Sequence, residues 1–132
     1  FDFNMSWRGS YGNYNYNNVY SNYGSVSIAL PGNGNYIQNA STNVLATNFE
    51  TPQYASDYYV QDASFVRLDN VSLGYSFPNF LGEGKNLRLT GSVQNVFVIT
   101  DYDGIDPEVS GGIDNNLYPR PRTYTLGLNV NF

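Results

Sequence analysis

Residues 123 to 132 read Thr-Tyr-Thr-Leu-Gly-Leu-Asn-Val-Asn-Phe. Tyr124, Leu126, Leu128, Val130 and Phe132 fall on one parity, and Thr123, Thr125, Gly127, Asn129 and Asn131 on the other. An unbroken two-residue period of this kind is what a strand with one apolar and one polar face requires. A soluble sandwich and a membrane-spanning barrel both use such strands. Two things separate them: whether other strands repeat the pattern at membrane length, and whether the connections alternate between long and short.

Working outward, the pattern recurs three times. Phe1, Phe3, Met5, Trp7 and Tyr11 share a parity with Gly9, against Asp2, Asn4, Ser6, Arg8 and Ser10. A tilted strand needs about 9–11 residues to cross the hydrocarbon layer, and this run meets that length. In Ser64 to Phe77, Val71, Leu73, Tyr75 and Phe77 oppose Asn70, Ser72, Gly74 and Ser76. Val66 and Leu68 lie on the other parity, and a bulge near Asp69 or a strand end extending beyond the bilayer accounts for the slip. Pro78 then ends the strand because it has no N–H to donate. In the returning run, Leu87, Leu89, Gly91, Val93, Phe97 and Ile99 oppose Arg88, Thr90, Ser92 and Gln94, with Asn95 the one interruption. Val96 and Val98 make the far end apolar on both faces.

The expected strands are therefore about 1–11, 64–77, 87–100 and 122–132. Their connections run long (about 12–60), short (78–86) and long (about 101–121). Outer-membrane barrels alternate in this way, with short turns on the periplasmic side and long loops outside. That orientation makes 78–86 periplasmic and both long loops extracellular. Four strands cannot close a barrel, since the smallest need about eight, and an open edge in lipid leaves backbone groups unsatisfied. A chain that starts at Phe1 inside a strand pattern reads as part of something longer.

Composition excludes other classes. The 13 Tyr, 8 Phe and 13 Gly beside only 13% charged residues do not suit an ordinary soluble surface. A net charge of −5 argues against nucleic acid, whose phosphates call for clustered Lys and Arg. With no His and no Cys, the commonest general base, the commonest metal ligand and any disulfide framework are missing. No convergent carboxylate pair stands out either, so neither an enzyme nor a cofactor site is expected. Asp101, Asp103, Asp106 and Glu108 invite a calcium reading, but their spacing is not that of an EF-hand loop. A solvated acidic loop held by turns and Pro107 is the expectation.

Residues 11 to 24 form a Tyr/Asn/Gly-rich run, and the whole stretch 12–60 shows no convincing element apart from a short amphipathic helix around Ser41 to Phe49, with Val44, Leu45 and Phe49 on one side. Such a length is either a polar insertion or a folded surface loop whose tyrosines pack on each other and on a ligand or partner. Tyr14, Tyr16, Tyr20 and Tyr23 are the candidates for such contacts. Arg8, Arg88 and Asn129, on the polar parities, are expected to line a lumen.

Several stretches resemble the SusC/RagA family of TonB-dependent outer-membrane transporters. They are Asp62 to Tyr75 (DASFVRLDNVSLGY), Gln94 to Phe97 (QNVF), Tyr102 to Val109 (YDGIDPEV) and Tyr118 to Gly127 (YPRPRTYTLG). The resemblance implies an all-β fold, the last four strands of a 22-stranded transmembrane antiparallel barrel, in the outer membrane of a Gram-negative bacterium of the Bacteroidota. It further implies import of oligosaccharides or oligopeptides with a SusD-like surface lipoprotein as lid. The remaining partners would be the other barrel strands and plug, the TonB complex acting through an upstream part, outer-membrane lipid, and the barrel-assembly machinery. That machinery would read the terminal pattern Tyr124, Leu126, Leu128, Val130, Phe132. A siderophore receptor, a porin, or a soluble β-sandwich that binds carbohydrate are the other readings open to these residues.

Overall fold

The computed structural model describes residues 1–30, 39–80, 82–115 and 118–131. In chain order the elements are β1 (Asp2–Ser10), β2 (Tyr14–Asn17), α1 (Asn18–Tyr23), α2 (Val26–Ala29), α3 (Val44–Thr47), β3 (Val60–Asp62), β4 (Phe65–Phe77), β5 (Asn86–Thr100), β6 (Ile113–Asp114) and β7 (Thr123–Asn131). They sort into two units, one of residues 1–10, 65–100 and 120–132, the other of residues 11–64 and 101–119.

The first unit is a four-stranded antiparallel sheet in the order β1-β4-β5-β7. Its register aligns the alternation of all four strands. Phe3, Leu73, Gly91 and Leu126 form one crosswise row, and Met5, Val71, Val93 and Tyr124 the next. Between them, Asn4, Ser72, Ser92 and Thr125 form a polar row pointing to the other side. The apolar rows are not a buried core: Leu126 is 92% exposed, and Phe3, Met5, Leu73, Leu89, Tyr124 and Leu128 are exposed with it. A contiguous apolar face of this size demands an apolar covering.

The parity slip is located at Asp69. Between Ser6 and Trp7 on β1 and between Asn70 and Leu68 on β4, Asp69 is the extra residue. Across from it, β5 places both Asn95 and Val96 between the pairs Asn70–Gln94 and Leu68–Phe97. Asn95 takes the left-handed conformation, φ 52°, which Asn adopts more readily than most residues because its short amide can bond locally. Beyond the bulge Trp7, Leu68 and Phe97 align. The Trp7 and Phe97 rings meet edge to face at 5.6 Å, and Leu68 on the strand between them is buried.

The short connection after β4 is closed by turns. Asn79, in the left-handed region, accepts from Gly82 N at 3.2 Å through its carbonyl and from Gly84 N at 3.1 Å through its side chain.

In the second unit the described residues of the stretch 12–60 are folded, the second of the two readings left open for it: β2 is the centre of a small sheet, antiparallel to β3 and parallel to β6. Two expectations are corrected. The expected helix at Ser41 to Phe49 shortens to Val44–Thr47, and Leu45 is exposed rather than on a packed face with Val44 and Phe49. Its end is set by Asn48, which caps it in the left-handed conformation at φ 51°. The acidic loop is not simply solvated. Asp106, Pro107 and Asp114 are buried, because β6 joins the sheet and the carboxylates accept protein hydrogen bonds, Asp106 from Glu108 N at 2.9 Å and Asp114 from the Tyr102 hydroxyl at 2.8 Å.

Candidate functional site

On the polar face of the sheet, charges occur in bonded pairs. Arg88 Nη2 donates to Asp2 Oδ2 at 2.8 Å and its Nη1 to Ser76 Oγ at 3.4 Å. Asp2 and Arg88 belong to strands separated by β4, and they meet over Gly74. A Cβ there would lie 2.6 Å from the Asp2 carboxylate and 2.9 Å from the Arg88 guanidinium, so a larger residue at that step would make these two side-chain ends shift. Arg8 pairs with Asp69 across the bulge. Arg88 stands opposite Asn129, so two of the expected lumen residues share one corner of the face. Both pairs retain substantial solvent access, and exposed pairs contribute about 0–1 kcal/mol to the fold.

Asn95, which breaks the apolar parity of β5, is a structural tie. Its Oδ1 accepts from Nη1 of the buried Arg67 at 2.7 Å, and its Nδ2 donates to Arg120 O at 2.8 Å. Arg122 Nε in turn donates to Asn95 O at 3.5 Å. The bulge, the interior of β4 and the lead-in to β7 are thereby tied at one residue. A lone Asn breaking an apolar parity in a strand is the signal that finds it.

In the loop unit, the Tyr/Asn run follows a pattern opposite to the usual one. Asn15 and Asn17 are buried while Tyr14 is exposed. Their amides make the bonds that irregular backbone cannot make for itself: Asn15 Nδ2 to Pro107 O at 2.7 Å, and Asn17 Oδ1 from Tyr20 N at 3.0 Å, capping α1. Tyr16 donates its hydroxyl to Ser21 Oγ at 2.7 Å and accepts from Ala55 N at 3.0 Å, while its ring stands edge-on to buried Tyr59 at 6.2 Å. Of the four tyrosines singled out, Tyr16 is committed to internal packing, Tyr20 is half-buried, and Tyr14 and Tyr23 are exposed.

Burial, the bond to Asp114 and that residue's charge raise the Tyr102 phenol above its ordinary value, and burial followed by the Asp103 charge does the same to Tyr20. Hydrogen bonds from the Ser64 side chain and backbone hold the Asp62 carboxyl below its ordinary value, which makes the Asp62-Ala63-Ser64 run a side-chain-closed turn leading into β4. Among the described residues no group of three or more Asp and Glu is placed to hold a metal ion. None of them forms a helix long and apolar enough to cross a membrane.

A sheet of long antiparallel strands with an exposed apolar face on one side and a charged, small-residue face on the other is a segment of transmembrane β-barrel wall. The comparisons give the family. The chain is 42% identical, over its whole length, to the TonB-dependent receptor SusC of Bacteroides thetaiotaomicron, and it spans 14% of that relative. Over 65% of the chain it is 40% identical to TonB-dependent receptor P3 of Formosa agariphila, of which it spans 11%. The fold matches a structure of the RagAB peptide transporter with a TM-score of 0.71 at 23% identity, over 96% of this chain and 15% of that one. No family model matches. The chain belongs to the SusC/RagA family of TonB-dependent outer-membrane transporters, and its place is the outer membrane of a Gram-negative bacterium.

Proposed function

We propose that the chain is the C-terminal part, the last four strands, of the barrel of a SusC-like importer that takes up oligosaccharides or oligopeptides with a SusD-like lipoprotein. The whole-chain similarity to SusC carries this reading, and the RagAB structures, described as a peptide importer, support the same class of task. The apolar rows through Tyr124, Leu126 and Leu128 then face lipid, and with Val130 they form the pattern read during assembly; Phe132, the last member of that pattern, lies outside the described residues. The polar rows, with Arg8, Arg88 and Asn129, face the lumen. Residues 78–86 form a periplasmic turn, and the unit of residues 11–64 and 101–119 stands outside the cell, where Tyr14 and Tyr23 are free to touch the lid or the solute. The chain supplies a wall and a specificity loop rather than catalysis, and the energy comes from TonB acting on parts of the transporter outside these strands.

Uptake measured in the native host tests this. Deleting the gene of the full transporter should abolish TonB-dependent uptake of one class of oligomer, and restoring it should rescue that uptake. If uptake of oligosaccharides and oligopeptides is unchanged in the deletion strain, the reading fails.

A further inference from the structure

The loop unit contains a cleft of about 410 Å³, within the range of about 300–1,000 Å³ that small-molecule sites occupy. Segments far apart in sequence build it: Tyr20 from α1, Thr42 and Asn43 ahead of and at the start of α3, Tyr58 and Gln61 around β3, and Asp103 from the second long connection. Its chemistry is consistent across those segments. Two amides, a carboxylate, a hydroxyl and tyrosines converge, and among the described residues no Lys or Arg lines the cleft.

Three features are prearranged. Gln61 Nε2 donates to Asp103 Oδ2 at 3.1 Å and its Oε1 accepts from Asn17 Nδ2 at 3.4 Å, so the amide is oriented beside the exposed acid. Tyr58 is held edge-on by Phe49 at 5.6 Å and by Tyr59 at 5.2 Å, yet half of its surface stays open. The Asn43 amide is buried beside Gly24, with no hydrogen-bond partner among the described residues, and forms a fixed part of the cleft wall.

We infer that this cleft is a subsite for a neutral saccharide ring. Adjacent ring hydroxyls each offer one donor and two acceptors, which suits a fixed carboxylate beside a fixed amide, and the C–H face of the ring lies on the open Tyr58 surface. A peptide is the poorer match. Among the described residues the cleft has no cation for a carboxylate terminus and, with Ala46 the one aliphatic side chain there, offers little to apolar side chains. The inference rests on the importer reading and narrows it, by selecting oligosaccharide over oligopeptide.

The test uses the full-length transporter purified in detergent, with calorimetric titration of neutral gluco-, fructo-, xylo- and manno-oligosaccharides and of mixed tri- to hexapeptides. Asp103→Ala and Tyr58→Ala should each weaken binding of one saccharide class at least tenfold. Ala46→Phe, which fills the cleft and removes no hydrogen bond, should do the same with an unchanged unfolding temperature. Absence of saccharide binding, saccharide binding that Ala46→Phe leaves within twofold, or binding of peptides alone overturns the inference. Peptide uptake that depends on TonB, with the cleft variants silent, leaves the importer reading standing while this one falls. Uptake of every oligomer left unchanged by deletion of the transporter gene removes the importer reading, and the titration still decides the subsite.

Discussion

Asn95 is the residue at which most of the sheet unit's irregularity is settled. Its left-handed backbone carries strain of about 1–3 kcal/mol in a residue with a Cβ, and its side chain answers one charged donor and two backbone carbonyls, those of Arg120 and Pro121. Asn95→Ala keeps the strain and loses these bonds, whereas Asn95→Gly relieves the strain and loses them. The alanine variant should therefore unfold at a lower temperature than the glycine variant, and both below the parent, measured by the heat-dependent shift of the full barrel on a denaturing gel. Equal temperatures for all three would remove the role given to Asn95. Tyr102 makes a second residue-scale prediction. Its phenol is raised by burial and by Asp114, so the stability it contributes is fully present below the unfolded value near 10 and is lost as pH rises through the higher folded value. Tyrosinate absorbance should show Tyr102 in the late-titrating group with Tyr20 and Tyr59, together with alkaline loosening of the loop unit. Tyr102→Phe should shrink that late phase by one tyrosine and cost about 1.5–3 kcal/mol, the worth of a hydrogen bond to a charged acceptor.

Among the elements, β7 has the least support from its own chain. One edge pairs with β5, and among the described residues the other pairs with nothing. Its apolar side chains are nearly bare, so the strand depends on lipid for its face and on a further strand for its edge. Leu126→Arg should destabilise the assembled barrel by about 2–4 kcal/mol if the residue lies near the midplane, whereas Thr125→Arg, on the opposite face, should cost much less. Folding titrations of the full barrel into phospholipid vesicles measure both, and a reversed order would reverse the assignment of faces. The same alternation was legible in sequence for β1, β4, β5 and β7, because each strand states its faces residue by residue. The bulge was legible too, since Val66 and Leu68 change parity around Asp69. The elements of the loop unit were not. β2 is four residues and β6 two, too short for a period to show, and their partners lie far along the chain.

For the whole molecule, the described residues of the sheet unit form no buried apolar interior: the buried apolar side chains among them are Phe65 and Leu68, both beside or beyond the bulge. Hydrophobic burial, the main favourable term in folding, must come from lipid or detergent. Expressed by itself, the chain should aggregate in detergent-free buffer; a monodisperse, cooperatively unfolding species under those conditions would contradict the barrel-wall reading.

The sequence by itself determined the barrel class, the two faces of each long strand and the alternation of long and short connections. These are local properties, written at a period of two and readable without knowing any partner. Only the tertiary structure decided the loop unit and its cleft. Asn15 bonds Pro107, Gln61 bonds Asp103 and Tyr102 bonds Asp114, and the first two pairings join segments separated by dozens of residues. Asparagines that look like solvated low complexity become buried because irregular backbone leaves polar groups that side-chain amides must satisfy. No periodicity announces which amide will find which carbonyl.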